Sequence, residues 1–212
     1  MIEAVFFDVA NTLLHKPVLF ERMAETLVKH GYKVTGEQLR YVHKIVSEAV
    51  TFPDTTSKDF YLGFNESFLY ALGIAPSPEL LNDLFNASTY LEWEPFADAV
   101  SLDKIKLPMG ILSNWDLSLK NKLDTHLPFR FSWILGSQAS GLRKPDPRFF
   151  SQMIEASGLS AHNILFVGDS PKLDIHPALN IGARAVLIDR YEYYPNAGFP
   201  RIKQLSEVCD LL

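Results

Sequence analysis

The chain has 212 residues, 47% hydrophobic and 21% charged. That is enough to bury the core of one ordinary domain, and it excludes a disordered chain. Twenty Lys and Arg against 25 Asp and Glu leave a formal charge of −5, so the balance gives no basis for a nucleic-acid partner, whose phosphates call for clustered positive charge.

The chain opens with a short apolar run, Ala4-Val5-Phe6-Phe7, that stops at Asp8. Continuous apolar runs of this length predict strands buried on both faces, as in a parallel sheet covered by helices. From Lys16 to Trp93 the pattern turns helical. Phe20 to His30 carries Phe20, Met23 and Leu27 on one face, with Gly31 as a stop. Thr35-Gly36-Glu37-Gln38 matches a capping box ahead of Leu39, Val42, Val46 and Ala49. Lys58 to Leu72 places Phe60, Tyr61, Phe64, Phe68 and Leu72 at helical spacing, which predicts a mostly buried face. Ser77-Pro78 starts a fourth helix with proline at its first position.

Four further apolar runs follow: Met109 to Leu112, Phe131 to Leu135, Ile164 to Val167 and Ala185 to Ile188. Helical patterns over Pro147 to Ala156 and Leu173 to Ala178 separate some of them. This alternation predicts an α/β fold with a doubly wound, Rossmann-like parallel sheet. The expected division is an α/β core of 1–15 and 94–212, with a helical cap of 16–93 inserted after the first strand. The tail, Phe199 to Leu212, reads as a final helix burying Ile202, Leu205 and Val208. One cysteine, Cys209, excludes a disulfide framework and a Cys-based zinc cluster, and fits a reducing compartment. The opening Met1-Ile2-Glu3-Ala4 lacks the pattern of a signal peptide. No apolar run approaches the roughly 20 residues that span a bilayer. The expectation is a cytoplasmic protein with neither a membrane nor a nucleic-acid partner.

In doubly wound sheets ligands bind beyond the carboxyl ends of the strands. Polar residues stand there after three runs: Asp8, Ser113-Asn114 and Gly168-Asp169. A carboxylate at Asp8 can attack phosphorus to form an aspartyl-phosphate. Ser113 and Asn114 can hydrogen-bond an anionic oxygen, and Lys144 can neutralise charge developing in the transition state. Asp169 and Asp174 supply the hard oxygens that Mg2+ prefers alongside a substrate phosphate.

With these motifs in order, the chain resembles the haloacid dehalogenase (HAD) superfamily over its whole length, including a helical cap of the C1 type. Asp8 to Thr12 matches the first motif, Ser113 the second, Lys144 the third, and Gly168-Asp169 with Asp174 the fourth. The resemblance implies a core strand order of 5-4-1-2-3 and a hydrolase acting on small phosphorylated metabolites. In it Asp8 is the nucleophile, Ser113 binds the phosphoryl group and Lys144 steadies both. Thr12 and Asn114 face the substrate. Mg2+ is held by Asp8, Asp169 and the carbonyl of Ala10, and Asp174 orients Lys144 or a metal-bound water.

One position departs from the usual phosphatase pattern. The second Asp, which protonates the leaving group and then activates water, is replaced here by Ala10. General acid–base catalysis contributes about 10²–10⁴-fold, so its loss leaves several readings open. The substrate can have a good leaving group, or His15 or Asp116 can substitute. Alternatively the protein is a catalytically weak scaffold binding a phosphorylated ligand or a protein partner. Dehalogenation fits poorly, because Asp169 is kept. A phosphonate C–P hydrolase also carries Ala at this position, but needs a Schiff-base lysine from the cap, where Lys29, Lys33, Lys44 and Lys58 are available. The resemblance is closest to a branch of capped HAD proteins with an Asp-x-x-x-Thr first motif. The sequence leaves the oligomeric state open.

Overall fold

The computed structural model describes residues 1–212. The chain forms two compact units, one of Met1–His15 with Glu94–Leu212 and one of Lys16–Trp93.

The first unit is built on a six-stranded sheet. Its strands are β1 (Ala4–Phe7), β4 (Met109–Ser113), β5 (Trp133–Gly136), β6 (Ile164–Gly168), β7 (Arg184–Ile188) and β8 (Arg201–Ile202). They lie in the order β5-β4-β1-β6-β7-β8, every neighbouring pair parallel. The inner five strands follow the expected 5-4-1-2-3 arrangement, and β8 adds an edge. β1, β4 and β6 are buried at every residue, because helices cover both faces of such a sheet. Phe6 shows how tightly the centre packs. It pairs with Gly110 and Phe166 across the sheet and stacks on Trp133. A Cβ at Gly110 would overlap the Phe6 ring, so glycine is the residue that lets an aromatic fill this position.

The covering helices are α5 (Leu119–His126), α6 (Ser137–Ser140), α7 (Pro147–Ser157) and α8 (His176–Asn180). In α7 Asp146 caps the N-terminus, Pro147 occupies the first turn and Gly158 closes the helix at φ 68°. Its Phe149, Phe150 and Met153 join the core with Ala4, Phe6 and Phe166.

Three expectations need correction. The strand expected over Phe131–Leu135 occupies Trp133–Gly136. The helix expected over Leu173–Ala178 is a π-helical turn, Pro171–Ile175, that runs into α8. The tail is not one helix but β8 followed by a 3₁₀ segment, Leu205–Leu211. Ile202, Leu205 and Val208 are buried as expected, but a strict three-residue interval between Leu205 and Val208 suits a three-residue turn.

In the same unit, β2 (Leu14–His15) and β3 (Glu94–Pro95) form a small antiparallel ladder. The His15 ring stacks on Phe96 at 4.1 Å, and the Arg190 guanidinium lies 3.8 Å from the Phe96 centroid on the same cluster. Arg190 also donates to Asp98 at 2.7 Å and to the carbonyl of Thr12 at 2.9 Å. It thereby ties the end of β7 to the loop that follows β1.

The second unit holds α1 (Leu19–Lys29), α2 (Gly36–Ala49), α3 (Lys58–Ala71) and α4 (Pro78–Ser88). The Thr35 capping box is present, with Gln38 N–H donating to Thr35 Oγ1 at 3.2 Å and Thr35 N–H donating to Gln38 Oε1 at 3.1 Å. Ser57 and Ser77 cap α3 and α4 in the same way. Met23, Leu27, Leu39, Phe64, Phe68 and Leu84 form its core. His43 packs edge-on against Phe20, Phe64 and Phe68. Burial, reinforced by Lys44 and Lys16, lowers its pKa to about 4, so it is a neutral packing residue near pH 7. No helix in either unit is long and apolar enough to cross a membrane.

Candidate active site

The strand register brings the sequence motifs together. Phe7 pairs with Ile111 on one side and Val167 on the other. Asp8 N–H then extends the ladder by donating to the Val167 carbonyl at 2.9 Å. The residues just beyond these positions, Asp8, Ser113 and Asp169, therefore emerge at one carboxyl edge.

Asp8 is 5% exposed. Its Oδ1 accepts from Ser113 Oγ at 2.9 Å and from Lys144 Nζ at 2.6 Å. Thr12 Oγ1 stands 3.5 Å from Oδ2, a distance at which a hydroxyl contributes little. Lys144 is 3% exposed and its ammonium also donates to Asp174 Oδ1 at 2.6 Å. The second Asp174 oxygen accepts the Ser170 N–H at 3.0 Å. Gly168 makes room for this arrangement, since a Cβ there would overlap the Asp174 carboxyl. Asn114 sits beside the cluster, and its carboxamide pairs with the main chain of Lys144.

Asp8, Asp169 and Asp174 each offer a carboxylate oxygen within 4.8 Å of the other two. Two of these carboxylates, Asp8 and Asp174, share the Lys144 ammonium in a buried place. The titration of the buried groups follows. Burial alone would lower the Lys144 ammonium, but the Asp174 and Asp8 carboxylates outweigh it and hold it above its ordinary value. Burial pushes Asp174 up to about 7; Lys144 opposes this, and the charges of Asp8 and Asp169 add to it. Clustered carboxylate oxygens of this kind are the donors that a hard divalent cation prefers. The donor set therefore fits a metal of the Mg2+ type.

A substitution tests this charge balance. Lys144→Met should leave the carboxylates without their cation and destabilise the metal-free protein by about 3–5 kcal/mol. The folded-state pKa of Asp174 lies above its unfolded value, so its contribution to stability is full at acid pH and is lost as pH rises through about 7. The Lys144→Met penalty, read from urea unfolding in EDTA, should accordingly be larger at pH 8 than at pH 5. An equal penalty at both pH values would contradict the charge argument.

The remaining sequence candidates have these partners. His15 is on β2, stacked on Phe96. Burial lowers its pKa; Glu94 raises it, Arg190 lowers it and Asp98 raises it. Asp116 accepts from the Ser118 N–H at 2.8 Å and from the Ser118 hydroxyl, ahead of α5. Ala10 lies in the tight loop after β1, where Asn11 takes φ 60° and donates its N–H to Leu14 O at 2.7 Å.

Three contributions escaped the sequence reading. The Ser170 N–H holds Asp174, and its only signal was a place within the fourth motif. Gly168 was visible in that motif, but not the reason for it. Arg190 reaches the loop after Asp8 from the far end of β7, and no local pattern announces that contact.

Comparison with known proteins agrees with the fold. Residues 2–182 match the haloacid dehalogenase-like hydrolase family. The chain belongs to that family. It is 34% identical over 118 residues to haloacid dehalogenase-like hydrolase domain-containing protein 3 of Danio rerio, a match covering 53% of this chain and 49% of that protein. It is 27% identical to a glyceraldehyde 3-phosphate phosphatase of Pyrococcus abyssi, over 88% of this chain and 81% of the relative. Among solved structures, the magnesium-bound HAD-hydrolase YfnB of Bacillus subtilis superposes with a TM-score of 0.69 at 18% identity, covering 100% of this chain and 98% of that one. At that identity the likeness shows the fold alone.

Proposed function

We propose that the protein is a Mg2+-dependent phosphatase of small phosphorylated metabolites, working through an aspartyl-phosphate on Asp8. One observation carries the reading: a buried carboxylate at a strand end, with one oxygen held by Ser113 and Lys144 and two more carboxylates close by. The similarity to a glyceraldehyde 3-phosphate phosphatase supports a small phosphorylated substrate.

In this reading a free oxygen of Asp8 attacks phosphorus, and the bond from phosphorus to the ester oxygen breaks. Ser113 Oγ and Lys144 Nζ hold the transferred phosphoryl oxygens, and Thr12 lies beside Asp8 Oδ2. Asp174 keeps the ammonium between the two carboxylates. Water then cleaves the acyl phosphate and restores Asp8. Asp8, Asp169 and the Ala10 carbonyl would hold Mg2+, which supplies the charge neutralisation that lets a carboxylate approach an anionic phosphate. Residues 16–93 would serve as the cap of the family. With Ala10 no carboxyl protonates the leaving group, so acyl and aryl phosphates should be preferred over alkyl phosphates.

The test is orthophosphate release from acetyl phosphate, an aryl phosphate and a panel of metabolite phosphates. Turnover should require Mg2+ and disappear in EDTA. Release that is equally fast in EDTA, or none from any ester, would overturn the reading. Ala10 favours a second one, a scaffold that binds a phosphorylated ligand with little turnover. Tight, Mg2+-dependent binding of a phosphate ester without hydrolysis would support it.

A further inference from the structure

Asn114 follows β4 directly, one residue after Ser113 touches Asp8. Its carboxamide is taken up elsewhere. Asn114 Nδ2 donates to the carbonyl of Lys144 at 3.1 Å, and the Lys144 N–H donates to Asn114 Oδ1 at 2.8 Å. Both main-chain groups of Lys144 are thus held by a single side chain. A carboxamide is the side chain that offers a donor and an acceptor side by side for this exchange.

The consequence lies in the lysine's own side chain. A lysine ammonium ends a flexible four-carbon stem, yet Lys144 Nζ reaches Asp8 Oδ1 and Asp174 Oδ1 at 2.6 Å each. Fixing the N–H and C=O of Lys144 fixes the direction in which its stem leaves the backbone. The end of β4 then serves the site twice in succession, with Ser113 on the nucleophile and Asn114 on the loop that presents the cation. We infer that Asn114 is a positioning residue that acts through Lys144, rather than a residue that contacts the substrate. What Lys144 does in turnover rests on the phosphatase reading; the clamp on its backbone does not.

The first readout is the reactivity of Lys144 toward acetic anhydride, followed by peptide mass spectrometry in EDTA. Lys120, with a side chain 70% exposed, provides the internal reference. In the parent protein Lys144 should be protected. Asn114→Ala should label Lys144 at least about tenfold faster relative to Lys120, through local opening of its loop. Asn114→Asp preserves the shape and the acceptor for the Lys144 N–H, but sets an oxygen against the Lys144 carbonyl. It should also lose protection, and it carries the test if the alanine variant does not fold. With a phosphate ester that the parent turns over, kcat should fall about 10²-fold for a displaced reacting group, with KM unmoved.

Unchanged protection of Lys144 in a folded variant overturns the inference, whatever the activity. So does a raised KM with kcat and protection unchanged, which would return Asn114 to substrate contact. The labelling needs no substrate. A parent protein without turnover would sink the phosphatase reading and leave the clamp to be decided by labelling.

Discussion

Asp8→Asn is expected to abolish turnover on every phosphate ester that the parent hydrolyses, a loss on the order of 10⁴-fold or more for removing a covalent nucleophile. An amide oxygen is a poor nucleophile toward phosphorus, so no acyl phosphate can accumulate. The fold should survive, because Asn is isosteric and its carbonyl oxygen can still accept from Ser113 Oγ and Lys144 Nζ, which both address Oδ1. The variant also removes one of the three carboxylates in the cluster. Mg2+ should then bind more weakly, which titration calorimetry would read. Phosphate-release assays beside a thermal melt settle the matter. Retained turnover would remove Asp8 from the chemistry, while an unfolded variant would point to a structural role for its charge.

Ala10→Asp is expected to act in the opposite direction. In the resembled phosphatases a carboxyl at this place protonates the leaving oxygen and then activates water. General acid–base catalysis contributes about 10²–10⁴-fold, which is roughly 3–5 kcal/mol of barrier. The gain should be largest for alkyl phosphates, whose leaving alkoxide needs a proton most, and small for aryl phosphates. Measuring kcat/KM across a series of leaving groups separates the two. A steep dependence on leaving-group pKa in the parent, flattened in the variant, would place the missing acid at position 10. A uniform absence of gain would favour the binding scaffold.

The central strands were legible because their apolar runs are continuous, as burial on both faces demands. Helix starts were legible where capping chemistry is local, at Thr35, Ser77 and Pro147. Two other features depend on contacts that apolar spacing does not show. Asp169 and Asp189 both follow a strand at the same sheet edge, and position after a strand does not by itself separate them. In the structure Asp189 accepts from the N–H groups of Tyr193 and Tyr194 and from Arg201, so its carboxylate organises a turn. Asn114 likewise reads as one more polar group at a strand end. Its partner, the main chain of Lys144, lies 30 positions away and leaves no mark on the local pattern.

The tail shows a different limit. Apolar residues recur every third position from Ile202 to Val208, which suggested a helix, yet Ile202 completes a sheet edge and Leu205 and Val208 lie on a 3₁₀ turn. Spacing revealed which side chains face inward. It did not reveal how the backbone brings them there, because short apolar intervals are shared by several backbone forms.

The paired linkers carry a consequence for how such a chain diversifies. Leu14 pairs with Pro95 and His15 with Glu94, so the chain departs from the sheet-bearing unit and returns to it at adjacent residues. The entropic cost of closing a loop grows only slowly with its length. A junction of this kind behaves as a graft point: the intervening segment can be lengthened, shortened or exchanged for another in the course of descent, while the distance to be bridged stays the same. That stretch of sequence can then vary without disturbing the strand ends that carry Asp8, Ser113 and Asp169.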